Sequence, residues 1–246
     1  MTDTPDSLDT LADAARQVIE TERALAGDVL PLGANPLPAP APTKDKAVKA
    51  DKTDTAEKAE KAKKLDEIAR EVAECTACEL CRQRNKPVPG EGNPDARIFF
   101  IGEGPGAEED LQGIPFVGRA GQLLDKMIEA MGLTRQDVFI GNVVKCRPPG
   151  NRAPTPDETA ACWDYLRRQI EIIAPEVIVV MGNAAAKVLL ETRTGITRLR
   201  GQWHEVWGIP VMPTFHPAYV LRQYTPDNRR KVWSDLQAVM EHLGLK

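Results

Sequence analysis

The sequence predicts an α/β protein: a three-layer α/β/α sandwich around a central, mainly parallel four-stranded sheet. Three observations carry this. Short apolar runs alternate with longer helical ones, and strands separated by helices pair in parallel. The apolar runs are nearly continuous, as in strands buried on both faces. Polar loops rich in glycine or proline follow the runs, where open α/β sheets bind ligands beyond the carboxyl ends of their strands.

Residues 1–64 stand apart. Asp6 and Ser7 can cap a helix whose apolar face runs Leu8, Leu11, Ala15, Val18, Ile19 and Leu25. Such a helix either frays or docks a protein partner. Five prolines between Pro31 and Pro42 read as a semi-rigid linker. Lys44 to Lys64 alternates lysine, acids and alanine, so it is a solvated helix or disordered and buries no core. We therefore expect an N-terminal extension over 1–64, a candidate helix followed by a disordered linker.

From Leu65 onward the remaining 182 residues form one domain, 65–246. Strands are expected at Arg97–Gly102, Val138–Val144, Glu176–Met181 and Val211–Phe215. Helices are expected near Ala120–Met131, Pro156–Ile173, Asn183–Leu190 and Asp227–Leu243.

Composition narrows the function. The 246 residues carry 32 basic and 36 acidic side chains, net −4, which excludes a globally basic DNA coat. No apolar run approaches ~18 residues, so no membrane helix is expected. Met1 to Asp13 carries four acids and matches neither a secretory signal nor a transit peptide. A cytoplasmic location follows, and there five closely spaced cysteines favour metal binding over disulfides.

Three polar loops are candidates for one site. The first is GEGPGAEED, Gly102–Asp110, whose glycines let the backbone approach a flat ligand. Its acids and the lack of GxGxxG or a P-loop Lys-Ser/Thr pair argue against a phosphate cradle. The second follows Asn142 and holds Cys146 and RPPGNRAPTP. The third is Thr214 to Tyr219 and carries His216, one of three histidines.

Cys75-Thr-Ala-Cys78 places two thiols within reach of one metal centre. Cys146 and Cys162 can complete four ligands, leaving Cys81 surplus. Spacing does not separate zinc from an iron–sulfur cluster. Between Lys187 and Lys231, eight basic residues face only Glu191, Glu205 and Asp227, a local +5 suited to phosphates. Trp203, Trp207 and Trp233 read as packing residues.

In this order and spacing, GEGPGAEED, PFVGRAGQLLD, NVVKCRPPGNRAPTPDE and FHPAYVLR, with the cysteine layout, resemble the family 4 uracil-DNA glycosylases. The resemblance covers Leu65 to Lys246. It implies hydrolysis of the N-glycosidic bond of uracil in DNA, leaving an abasic site, and a [4Fe–4S] cluster on Cys75, Cys78, Cys146 and Cys162. It implies Phe116 as the stacking aromatic, Asn142 as reader of the uracil edge, Glu103 as a barrier to the thymine methyl, and Gly104 as pocket lining. His216 is implied as the donor to uracil O2 and Glu109 as the residue that orients water. Ala218, Tyr219, Val220, Leu221 and Arg222 are implied as a loop entering the duplex.

The expected partners are single- and double-stranded uracil-containing DNA, bound by a nucleoid-associated monomer with no membrane contact. A related covalent uracil-trapping group carries a basic, histidine-bearing insertion after Cys146. Here the loop is Pro-Pro-Gly-Asn-Arg-Ala-Pro, so turnover is expected. Two other readings share the cysteines and the basic face: a zinc-held nucleic-acid-binding module and a redox sensor.

Overall fold

The computed structural model of the protein describes residues 52–245. The candidate helix at Leu8–Leu25 and the proline-rich linker lie outside the described residues. Six strands form one mixed sheet: β1 (Glu91–Gly92), β2 (Ile98–Gly102), β3 (Phe139–Asn142), β4 (Val177–Met181), β5 (His204–Val206) and β6 (Ile209–Thr214). Their order is β1-β3-β2-β4-β6-β5. The central four are parallel, in the register Gly102↔Asn142, Phe100↔Val179 and Met181↔Thr214. Two antiparallel edge strands, β1 and β5, extend the expected four-stranded sheet. Neither carries an apolar run: β1 is only Glu-Gly, and β5 is a partly exposed hairpin arm turning at Trp207.

Among the described residues eight α-helices surround the sheet: α1 (Lys52–Glu74), α2 (Ala107–Gln112), α3 (Arg119–Ala130), α4 (Pro156–Ile173), α5 (Asn183–Leu189), α6 (Ile196–Leu199), α7 (Pro217–Arg222) and α8 (Pro226–Leu243). Helix α1 begins inside the lysine-rich tract, so the helical alternative for that tract holds from Lys52, and it runs through residue 64 without a break. Its buried positions, Ile68 and Val72, both follow residue 64. They belong to its packing against α4.

The three layers follow from alternation along the strands. Phe99 and Ile101 of β2 join a core with Val143, Leu166, Ile170, Ile178 and Val211. Ile98 and Phe100 point the other way, to Leu124, Ile128, Val179, Met212, Leu236 and Val239. Burying a side chain of this size contributes about 1.5–3 kcal/mol, so the helices on each face are held by the sheet between them.

Helix ends are set by local chemistry. Thr155 caps α4, accepting from the Glu158 amide at 3.2 Å, while Glu158 accepts from the Thr155 amide at 2.8 Å. Arg152 grips the same carboxylate at 2.8 and 2.6 Å and holds its pKa down to about 2. This fixes the proline-rich loop between β3 and α4. After β2 the chain crosses to β3 on one side, and then to β4 on the other. Strand order thus reverses beside β2, where such sheets open a crevice.

Among the described residues no helix is long and apolar enough to cross a membrane.

Candidate active site

A cavity of about 730 Å³ opens at the carboxyl edge of the parallel strands. Glu103, Gly104, Glu109, Phe116, Asn142 and His216 all line it, as do Ala218, Tyr219 and Arg222. Val220 and Leu221 do not. Residues 217–222 form helix α7 rather than an open loop, and Val220 turns into the core.

Asn142 ends β3 and is 1 % exposed. Its Oδ1 is buried and has no hydrogen-bond partner among the described residues. An orphaned buried acceptor costs about 1–3 kcal/mol, so such an atom points to a ligand. Gly102 sits opposite in register, where a Cβ would come within 2.5 Å of Asn142 Oδ1 and 2.6 Å of Phe116 Cζ. Only glycine lets those two side chains meet over the end of β2.

His216 caps α7, with Pro217 at the first helical position. Its Nδ1 accepts from the Ala218 amide at 3.1 Å. That bond puts the ring proton on Nε2. Burial lowers the imidazole pKa to about 4, Arg222 adds to the shift and Glu109 opposes it, so the ring is neutral near pH 7. The Phe116 ring lies offset-stacked on it, centroids 5.6 Å apart and planes 29° apart.

The two loop glutamates differ. Glu109, at the third position of α2, accepts three backbone N–H groups: Gly106 at 3.0 Å, Val117 at 2.9 Å and Gly118 at 2.9 Å. Glu103 makes no side-chain hydrogen bond or ion pair among the described residues and is half-buried, and burial raises its pKa above the ordinary glutamate value.

Sequence reasoning missed several supports. Lys145 is buried, its ammonium held by the Asn142 carbonyl at 2.8 Å and Gln169 Oε1 at 2.6 Å. Asp110 accepts from the Asn85 amide at 2.9 Å, which ties the cysteine-bearing segment to the acidic loop. The signal for Lys145 was a lysine beside an apolar strand end with no acid near it in sequence.

All five cysteines are free. Cys146 lies within electrostatic range of Cys75 and Cys78, and Cys162 within range of Cys146 and Cys75. Arg84 donates to Cys146 Sγ at 3.1 Å, and the Lys145 amide donates to Cys162 Sγ at 3.2 Å. Burial raises the Cys146 thiol and pushes Cys162 up to about 11, against the opposing pull of Arg84 and Lys145 respectively. Among the described residues no three Cys, His or acidic side chains converge as one metal ion would require.

The basic cluster is partly committed elsewhere. Arg200 pairs with buried Asp235, and Arg230 and Lys231 pair with Asp227. Arg222 remains at the cavity, joined there by Arg119 and Arg152 from other loops. Trp203 packs on His242, and Trp207, though 53 % exposed at its hairpin turn, packs its ring against Trp163 with centroids 5.9 Å apart.

An open sheet, parallel at its centre, with a polar-rimmed cavity at its switch point defines the class, an α/β protein that binds a ligand there. The family model described as the uracil DNA glycosylase superfamily matches residues 89–237. A type-4 uracil-DNA glycosylase of Thermotoga maritima is 51 % identical over 158 residues, covering 63 % of this chain and 81 % of the relative. One from Archaeoglobus fulgidus is 47 % identical over 175 residues, covering 68 % and 87 %. Another, from Saccharolobus solfataricus, is 47 % identical over 176 residues, covering 68 % and 81 %. The chain belongs to the uracil DNA glycosylase superfamily, in its type-4 family.

Proposed function

We propose that the protein excises uracil from DNA, hydrolysing the N-glycosidic bond to release free uracil and leave an abasic site. The observation that carries this is the unpartnered Asn142 amide oxygen, buried at the end of β3 beside an aromatic ring and a neutral histidine.

The target base is inaccessible in a stacked duplex, so the nucleotide is flipped into the cavity. It stacks on Phe116. The Asn142 amide accepts from uracil N3–H and donates to O4. Cytosine presents the opposite pattern and leaves buried groups unpaired, a cost of about 1–3 kcal/mol each. As the bond breaks, negative charge grows on the ring, and the His216 Nε2–H stabilises it at O2. A preorganised donor of this kind contributes about 3–4 kcal/mol.

The geometry favours a different division of the glutamates from that implied by the resemblance. Glu109 spends both oxygens on backbone amides, so its part is to hold the pocket. Glu103 has a free carboxylate, suited to orient water and face the cationic sugar. Arg222 and Arg119 rim the cavity where the flanking phosphates would pass, while Arg152 stays on Glu158.

The four thiols of Cys75, Cys78, Cys146 and Cys162 fit an iron–sulfur cluster by the chemistry of their donors. Two are buried, none is in a disulfide, and N–H···S bonds from Arg84 and the Lys145 amide already await thiolates. Such a cluster supplies a cross-link; hydrolysis needs no redox step. The reading also makes the protein a monomer on single- or double-stranded uracil-containing DNA, cytoplasmic and nucleoid-associated. Any further protein partner would use the N-terminal extension.

Uracil release from a labelled oligonucleotide, followed by alkali cleavage at the abasic site, tests the activity. Release is expected from both single- and double-stranded substrates. No release from either overturns the proposal.

A further inference from the structure

Phe116 is a bulky residue with φ of 53°, in the left-handed region that such side chains rarely adopt. Strain of this kind costs about 1–3 kcal/mol and persists only where the surroundings over-determine it. Two side chains of opposite charge do so here.

On the amide side, Glu109 Oε1 accepts from Val117 N and Gly118 N, both at 2.9 Å. On the carbonyl side, Arg135 Nη2 donates to Pro115 O at 2.5 Å and Nη1 to Phe116 O at 3.1 Å. The guanidinium is itself fixed by Asp125 at 2.9 Å and Glu91 at 3.3 Å. Four consecutive residues, 115–118, are thus held through their main chain, N–H groups by an anion and carbonyls by a cation. Gly121 of α3 completes the clamp: a Cβ there would lie 1.8 Å from Phe116 O.

From this we infer that Arg135 is a positioning residue for the base platform, working through the Pro115 and Phe116 carbonyls in concert with Glu109. The inference rests on the proposed uracil reading, which makes Phe116 the surface on which the base lies. Arg135 does not line the cavity and touches no substrate. Its planar fork matches two adjacent carbonyls, which a lysine ammonium cannot span in the same way.

The test is Arg135→Met, with Arg135→Lys beside it, in the full chain. Three quantities are read: inhibition by free uracil, affinity for DNA carrying a tetrahydrofuran abasic analogue, and the thermal midpoint. Loss of a well-placed stacking surface should weaken uracil inhibition about tenfold. Affinity for the abasic duplex, which has no base to stack, should stay within about twofold. Arg135→Lys should recover part of the uracil affinity.

Uracil inhibition unchanged in Arg135→Met overturns the inference, as does an equal loss of abasic-DNA affinity, which would mark a general structural role. If Arg135→Met does not fold, Gly121→Ala decides. It presses on the same carbonyl without removing a charge, and should weaken uracil inhibition while sparing abasic-DNA binding; unchanged inhibition there overturns the inference. Wild-type protein that neither releases uracil nor is inhibited by it would refute the parent reading instead.

Discussion

The ammonium of Lys145 donates to the main-chain carbonyl of Asn142 at 2.8 Å, and both residues are 1 % exposed. The same nitrogen reaches Gln169 Oε1, whose amide donates to Pro89 O at 2.7 Å. One buried cation therefore ties Asn142 to α4, the helix that carries Cys162. Lys145→Met leaves two acceptors without a donor. The loss expected is about 1–3 kcal/mol in denaturant unfolding, because removing a buried charge offsets part of the unpaired cost. A fall in uracil turnover larger than the fall in DNA affinity should accompany it. Wild-type stability and turnover would show that the Asn142 carbonyl needs no such support.

The two glutamates are separable by substitution. Glu103→Gln removes a free carboxylate and disturbs no hydrogen bond, so stability and DNA affinity should hold while single-turnover cleavage falls about 10²–10³-fold. Glu109→Gln places an amide NH₂ or a weaker acceptor against three backbone N–H groups. It should lower the thermal midpoint and uracil affinity together. If Glu109→Gln instead keeps its midpoint and loses only rate, the original division of roles is restored.

Gly102→Ala tests how tightly the cavity floor is built. The added methyl would meet Asn142 Oδ1 at 2.5 Å and Phe116 Cζ at 2.6 Å, closer than real Cβ contacts come. The strand can accept alanine, since the Gly102 φ is not in the left-handed region, so the clash falls on those two side chains. Activity should drop at least about tenfold with secondary structure intact by circular dichroism. Unchanged kinetics would mean that Asn142 and Phe116 can part without cost, and would remove them from a shared pocket.

Much of this architecture was legible in the sequence because burial writes itself into patterning. β2 to β4 and the long helices α3, α4 and α8 fall within a few residues of their expected ends, since their apolar patterning is strong and threonines cap α4 and α8. The edge strands were illegible: β1 has two residues and β5 pairs through backbone groups, without an apolar signal. Residues such as Glu103, Asn142 and His216 stood out as polar groups after apolar strands. Their supports did not, because Arg135 and Gly121 act on the main chain at 115–116 and Lys145 links the Asn142 carbonyl to the Gln169 side chain of α4, relations that only the fold brings about. The roles of Glu103 and Glu109 likewise hinge on which oxygen finds an amide, and no spacing in GEGPGAEED states that.

The acid limb of the pH profile should belong to Glu103. Burial raises its pKa, so the ionised form is lost at a higher pH than for free glutamate. His216 titrates near 4, below that, and stays neutral through the working range. Cleavage by the wild type should therefore be flat near neutrality and decline on acidification, and Glu103→Gln should flatten the decline. For stability the histidine sign is the reverse of a salt-bridged one. The unfolded ring takes a proton below about 6.5 and the folded ring does not until about 4, so the contribution of His216 to stability falls as pH drops through that window. Glu103→Gln retaining a wild-type acid limb would transfer that limb to another group.

The cysteines yield the last prediction. Free Cys162 is a poor thiolate, its pKa pushed up to about 11 by burial, and Cys146 is raised as well. Two protonated thiols beside the Arg84 guanidinium and the Lys145 ammonium would leave cations facing neutral sulfur. Cys75, Cys78, Cys146 and Cys162 would lose that conflict if they held an iron–sulfur cluster, because all four would then be thiolates near the two cations. Purified protein should be brown, with about four irons by analysis. Cys162→Ser should lose the colour and lower the thermal midpoint, because Cys162 and Cys146 lie in the core between α4 and the sheet. Cys81→Ser should keep both, since Cys75, Cys78, Cys146 and Cys162 already supply the four ligands and leave Cys81 surplus. A colourless wild type with bound zinc would favour a single ion over a cluster. Loss of colour in Cys81→Ser but not in Cys162→Ser would reverse the ligand assignment.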